Sequence, residues 1–414
     1  MTRLRCSCVA PLALALVLGC PGGGDEAGED TGSSEQTGET DEPGDGEPGD
    51  GDGDPGDGLV PVFLAQGKVG RTILSCDDGL SWIHDRSYDV EGSPEMCDMV
   101  QAVDCFDGPC SFWDAGAQAC EMVDSCDCDH SPGASTGLAF GAGVFVGAWG
   151  WGPPGALKYS SDGVSWSVGH APTTQAGVAF GLGTFIAGNR TPRLSADGVT
   201  WVDGGDADFR NEADEIIWNA RTLAFADVMG GVFVAGASSG NGSDLMVSVD
   251  AGQSWSRPAG SWTCGGGFNG AVGGNGAIVV VFGDKSCVSQ DGGQSFELTP
   301  LAGGADVEFD GQQFVSWAGD QRWTSVDGSA WEATPLSVVG LPQGHQFQLG
   351  RVARSGETGT YVSVRSGWQN WYELQDFYRS VDGVSWDVLA PDQFTGSHPI
   401  TDVAYGRLAS AACD

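Results

Sequence analysis

The chain has 414 residues, with 68 Gly, 18 Lys and Arg, and 56 Asp and Glu, giving a formal net charge of −38. So few cations exclude a nucleic-acid binder, which must neutralise phosphates, and exclude electrostatic docking on anionic lipid. A cationic or neutral partner fits this charge, and the glycine content with short apolar runs favours an all-β protein rich in turns.

The first segment reads as an export signal. Arg3 and Arg5 precede the apolar run at 9–18 (VAPLALALVL), which is too short to span a bilayer as a helix. It ends in Val17-Leu18-Gly19-Cys20. This resembles the lipobox of bacterial lipoproteins, which implies a signal peptide over 1–19 and a lipidated Cys20. Pro21, where an inner-membrane retention signal would place Asp, points by the same resemblance to the outer membrane. Several acyl chains make such anchoring stable, whereas one is marginal.

Residues 20–58 form the lipidated Cys and an acidic, Gly-rich tether. Positions 21–58 carry fourteen Asp and Glu and no Lys or Arg. Such a segment cannot bury enough apolar surface to offset its ordering entropy, so a disordered tether with a reach of about 35 Å is expected. Asp50, Asp52 and Asp54 echo a calcium loop, but Pro55 stands where the turn Gly belongs.

From residue 59 to 414 one turn recurs seven times, and such a repeat decides the fold. Three copies have the spacing Ser-x-Asp-x-Gly-x-x-aromatic: Ser75, Asp77, Gly79, Trp82; Ser248, Asp250, Gly252, Trp255; and Ser289, Asp291, Gly293, Phe296. Four are one residue shorter: Ser160, Asp162, Gly163, Trp166; Ser195, Asp197, Gly198, Trp201; Ser325, Asp327, Gly328, Trp331; and Ser380, Asp382, Gly383, Trp386. The Asp carboxylate accepts backbone N–H groups just ahead, Gly supplies positive φ, and the aromatic opens the next strand where it packs between sheets. The motif resembles the Asp-box, or BNR repeat, of the sialidase-like superfamily of propellers. That resemblance implies a structural motif on the turn joining the third and fourth strands of each blade.

Most boxes follow two β-like runs joined by a Gly hairpin, as in STGLAFGAGVFVGA at 135–148 and ADVEFDGQQFVSWAG at 305–319. The unit is therefore strand A, strand B, strand C, box, strand D. Seven units predict an all-β, seven-bladed β-propeller of four-stranded antiparallel blades. The first unit starts at strand B (60–67), and the orphan strand at 399–406 is predicted to join it and close the ring. Cys76 and Cys413 then meet near the junction and are expected to be bonded.

Ten cysteines follow Cys20, an even number suited to an oxidising compartment. Cys97, Cys105, Cys110, Cys120, Cys126 and Cys128 lie in an insertion at 92–134, read as a disulfide-stapled excursion. A zinc site on Cys126, Cys128 and His130 is the alternative, with spacing tighter than structural zinc sites use. Cys264 and Cys287 are the remaining pair.

The box turns are expected to share a face with the A–B hairpins, leaving the D–A and B–C loops on the face where propeller ligands usually lie. Candidate ligand contacts on those loops are Trp149, Trp151, Trp218, Trp368, Trp371 and Tyr372, whose rings suit sugars or apolar side chains; packing over the loops is the alternative. Asp203, Asp206, Asp208, Glu212, Asp214 and Glu215 form an acidic run, readable as a solvated loop or as a glycosidase pair. The sialidase comparison stops short of catalysis. No Arg is followed by Ile-Pro, and Tyr372-Glu373 is a bare dipeptide. No catalytic residue, metal or cofactor is assigned. The sequence thus predicts a monomeric, exported, envelope-anchored module for a protein or glycan, touching the membrane only through its anchor. An exported glycoside hydrolase or lyase, or an assembly factor for a membrane complex, are the alternatives.

Overall fold

The computed structural model describes residues 58–67, 71–86, 110–114, 119–123, 135–149, 155–171, 177–188, 192–204, 220–239, 242–365, 376–389 and 400–414. The lipidation site Cys20 and the tether up to residue 57 lie outside them.

Seven antiparallel sheets form a β-propeller. The inner A strands are Ile400–Ala409, Ser135–Gly141, Val178–Gly181, Ala220–Ala226, Gly270–Gly274, Val307–Phe309 and Leu349–Arg354, for blades 1 to 7 respectively. They contact one another in that order, and the last returns to the first, so the ring is closed. In blade 1 the order is Ile400–Ala409, Leu59–Gly67, Thr72–Ser75, Ile83–Arg86. The C-terminal strand therefore supplies the missing strand A, pairing Phe63 with Tyr405 and Ala65 with Val403. A disulfide joins Cys76 to Cys413, with Cα atoms 5.9 Å apart.

The apolar core is divided among the seven interfaces between blades. Val62, Leu64 and Leu74 of blade 1 pack on Phe145 and Trp166 of blade 2. Val315 and Trp317 of blade 6 pack on Val352, Tyr361 and Trp386 of blade 7. The closing interface joins Val362 and Phe377 of blade 7 to Phe63, Ile73 and Trp82 of blade 1. Each sheet is thus covered on both faces only because the ring closes.

Glycine sets the spacing of the inner strands. A Cβ on Gly141, Gly181, Gly274 or Gly406 would lie 2.1–2.5 Å from the ring of Phe180, Phe225, Phe309 or Phe140 on the following blade. At these four places the glycine closing one A strand and the ring on the next form an interblade joint. Blade 5 has Gly273 in place of the ring, and blade 4 correspondingly carries Ala226 rather than Gly; blade 7 has Arg354 there, whose guanidinium donates to the backbone oxygen of Asp310 in blade 6.

Two blades depart from four antiparallel strands. In blade 7, Ser337–Val339 lies parallel to Ser385–Val388 as a fifth strand, since the connection leaving blade 6 runs along the outer edge and covers it. In blade 4 the fourth position is held by a single bridge between Val247 and Ser256. The chain beyond it turns away, and Ala259 bridges Ser295 of blade 5.

Candidate functional site

The seven Ser–Asp turns have one geometry. The Ser hydroxyl donates to the Asp carboxylate at 2.8–3.2 Å. The carboxylate accepts N–H groups ahead of it, such as Ser81 N at 2.8 Å and Thr200 N at 2.8 Å. Partial burial raises the Asp77 carboxyl, but hydrogen bonds from Ser81 and Ser75 outweigh this and hold it below its ordinary value. The turn Gly residues all have positive φ, from 69° at Gly383 to 86° at Gly293. The box aromatics pack on the preceding blade: Trp82 on blade 7, Trp166 on blade 1, Phe296 on blade 4 and Trp386 on blade 6. These residues are structural anchors.

The turns also orient the molecule. Asn275, in the A–B hairpin of blade 5, donates to the backbone of Gln312 in the next hairpin and of Val326 in the next box. Thr358, in the hairpin of blade 7, donates to Asp78 in the box of blade 1. Boxes and A–B hairpins therefore share one face, and the D–A and B–C loops form the other.

On that other face a cavity of about 590 Å³ opens over the axis. Its wall comprises Gly283, Ala302 to Ala305, Ala318 and Gly319, with Phe347 to Arg351, Thr401 and Asp402 from the inner ends of blades 7 and 1. Its floor carries charge. Arg351 Nη1 lies 3.8 Å from Asp306 Oδ1 of blade 6, and Arg351 Nε lies 3.8 Å from Asp402 Oδ1 of blade 1. Arg351 also donates to the backbone oxygen of Asn269 in blade 5. Asp306 accepts Val352 N–H at 2.9 Å and Val307 N–H at 2.9 Å, and Asp402 accepts Val403 N–H at 3.0 Å. Four blades are tied together at one level of the ring.

Burial pushes Asp306 and Asp402 up to about 6 each, against the opposing pull of Arg351. Glu308, two residues along the same strand, is pushed up to about 8 by burial and by Asp306, with Arg354 and Arg351 opposing. Arg351 is desolvated, yet Asp306, Asp402 and Glu308 hold it above its ordinary value. Beside the cavity, His345 Nδ1 lies 2.9 and 3.0 Å from the two oxygens of Asp376, on the same face.

Of the loop aromatics read from the sequence, Trp149 falls among the described residues, and it does not line this cavity. Trp149, expected at a loop surface, is fully buried at the end of Val144–Trp149. Its ring packs edge-on against Trp166 at 6.3 Å, with Lys158 Nζ 5.3 Å above it. Trp151, Trp218, Trp368, Trp371 and Tyr372 lie outside the described residues, as does the acidic run beyond Asp203. Asp203 itself pairs with Arg193 at 2.6 Å. In the insertion, Cys110–Asp114 and Ala119–Val123 form an antiparallel hairpin with Trp113 opposite Cys120. Cys97, Cys105, Cys126, Cys128 and His130 lie outside the description. Cys264 and Cys287 are bonded, both fully buried. Among the described residues no group of three His, Cys, Asp or Glu could hold a metal ion.

Asp306, Arg351, Asp402 and Phe347 were not singled out by sequence, although a signal exists. At the inner-strand position of Asp306, Arg351 and Asp402, blades 2, 3, 4 and 5 carry Gly137, Gly177, Thr222 and Gly270. Gly270 is required there, because a Cβ would lie 1.9 Å from Asp306 Oδ1.

No protein-family model matches the sequence, and no curated protein matches it. Among solved structures, the chain is similar to one from a nidogen/laminin complex (TM-score 0.40, 9% identity, covering 84% of this chain and 98% of that one). It is also similar to the Niastella koreensis GH74 enzyme (0.44, 13%, covering 80% of this chain and 52% of that one). A third is apo AztD from Citrobacter koseri (0.45, 8%, covering 84% of this chain and 98% of that one). None of these likenesses assigns a family or an activity.

Proposed function

We propose that the chain is an exported, lipid-anchored protein of the bacterial cell envelope, carried at the outer membrane. In this reading its propeller is a non-catalytic binding module that takes a protein or glycan on the face opposite the box turns. One observation carries the reading: an open axial cavity whose floor places a partly exposed Arg351 between two buried carboxylates from neighbouring blades. Asp306 is already committed to two backbone N–H groups and to Arg351, an arrangement that holds a surface in shape. The lipobox-like Val17-Leu18-Gly19-Cys20 and the acidic stretch after it support display on a tether.

The test uses the full chain. Ala302 is exposed on the cavity wall, so Ala302→Trp narrows the mouth without disturbing a core. Glycan arrays and capture from envelope extracts are expected to show a ligand that this variant loses. A ligand retained unchanged would place binding elsewhere. Labelling with radioactive palmitate that survives Cys20→Ala would remove the anchor.

A second reading, a glycoside hydrolase or lyase, is favoured by the raised Asp402 on the cavity lining and the raised Asp306 paired with the same Arg351, since shifted carboxyls mark acid–base chemistry as well as structural networks. Turnover of chromogenic glycosides, abolished by Asp306→Asn, would establish it.

A further inference from the structure

The floor of the axial cavity has unused hydrogen-bonding capacity of both signs. Arg351 is a third exposed, whereas the side chains of Asp306 and Asp402 are 6% and 9% exposed. A guanidinium carries five N–H donors. Arg351 spends one on the Asn269 carbonyl and meets both carboxylates only at 3.8 Å, with no other hydrogen bond among the described residues. Asp402 accepts Val403 N–H through Oδ1, and its second oxygen takes no hydrogen bond among the described residues. A free donor and a free acceptor therefore stand side by side.

Charge decides which ligand suits them. An anionic group would gain Arg351 but face Asp402 and, behind it, Asp306, within a chain of net charge −38. A cationic group would gain the carboxylates but face Arg351. A hydroxyl donates and accepts without net charge, and two adjacent hydroxyls satisfy Asp402 and Arg351 together. Phe347, half-buried in the wall and backed by Tyr378 with ring centroids 5.0 Å apart, adds apolar surface for ring C–H groups. Gly319, where a Cβ would meet open space, keeps that wall low. The volume of about 590 Å³ falls within the range of small-ligand clefts.

From this geometry we infer that the axial cavity binds a neutral glycan, with adjacent ring hydroxyls accepting from Arg351 and donating to Asp402. The inference rests on the binding-module reading above and names its ligand class.

The experiment presents the full chain to an array of neutral oligosaccharides, including cellobiose, maltose and mannobiose, beside counterparts bearing uronic acids or amino sugars. At least one neutral glycan is expected to bind, with charged counterparts at least ~10-fold weaker. Arg351→Lys, which keeps the charge but loses the fork, and Asp402→Asn are each expected to weaken it by ~10-fold or more. Ala302→Trp should block binding; it touches no interblade ion pair, so it keeps the test valid should the other two variants melt early. The inference fails if no neutral glycan binds, if a charged counterpart binds more tightly, or if Ala302→Trp leaves binding unchanged. A protein ligand lost in Ala302→Trp, with no glycan bound, overturns the glycan and leaves the module. A neutral glycan that is bound and then cleaved overturns the non-catalytic reading and leaves the ligand class.

Discussion

Cys76 and Cys413 are 337 residues apart in sequence and covalently joined, fastening the C-terminal strand to the first blade. At the joint between blades 7 and 1, Arg379 Nε donates to the backbone oxygen of Asp78 at 2.7 Å. In the chain-entropy model, closing so long a loop stabilises the fold by about 6 kcal/mol, less any strain. The double variant Cys76→Ala, Cys413→Ala is therefore expected to lose about 2–5 kcal/mol in denaturant unfolding. Its far-UV spectrum should stay native, because the pairing of Leu59–Gly67 with Ile400–Ala409 does not depend on the bond.

The aromatic–glycine joints between inner strands predict a steric cost. In Gly181→Ala the new Cβ would stand 2.2 Å from Phe225 and must displace a ring packed against Phe233. A loss of about 1–3 kcal/mol is expected, as for overpacking elsewhere. Gly143→Ala, in the A–B hairpin of blade 2 with open space around its Cβ, separates packing from backbone strain, because its φ of 77° carries only the strain. Equal losses in both would refute the joint.

Trp149 is expected to matter for stability and not for ligand binding. Trp149→Ala removes a fully buried ring and should cost about 3–5 kcal/mol. Affinity for whatever the cavity binds should hold in the folded fraction. A variant as stable as the parent that loses binding would restore Trp149 as a contact.

Acid and base act on the fold with opposite signs. The seven box aspartates are held below their ordinary value of 3.8. Their contribution is present above that value and is lost as pH falls through the folded-state values. Glu308 is raised from 4.5 to about 8, so its protonated form is the one the fold favours. The stability tied to that proton is complete below pH 4.5 and is lost as pH rises toward about 8. Asp306 and Asp402 behave alike between 3.8 and about 6. Thermal melts of Glu308→Gln should match the parent near pH 4.5 and exceed it increasingly toward pH 8. A constant difference across that range would show that Glu308 does not titrate in the fold.

Much of the architecture was legible in the residues. Ser248, Asp250 and Gly252 make a turn from their own hydrogen bonds and φ, and local chemistry of this kind survives in a linear string. Seven copies, with one strand lacking at the start and one spare at the end, were enough to count the blades and place the closure. The edge strand on blade 7 was not legible, because its partner Ser385–Val388 lies some fifty residues on and no local pattern marks a strand that pairs in parallel.

The candidate site divides along the same line. By itself the sequence determined the repeat, its turns and the face on which loops gather, since each depends on residues a few positions apart. It misplaced Trp149, because Trp-Gly-Trp-Gly looks like a loop until Trp166 and Lys158 of the same blade pack against the first ring. Only the tertiary structure brought Asp306, Arg351 and Asp402 to one level of the ring, from three blades separated by 45 and 51 residues. Ring closure sets those three at ion-pair range and desolvates them together. That shared desolvation gives the axial floor its raised carboxyls and its half-open guanidinium.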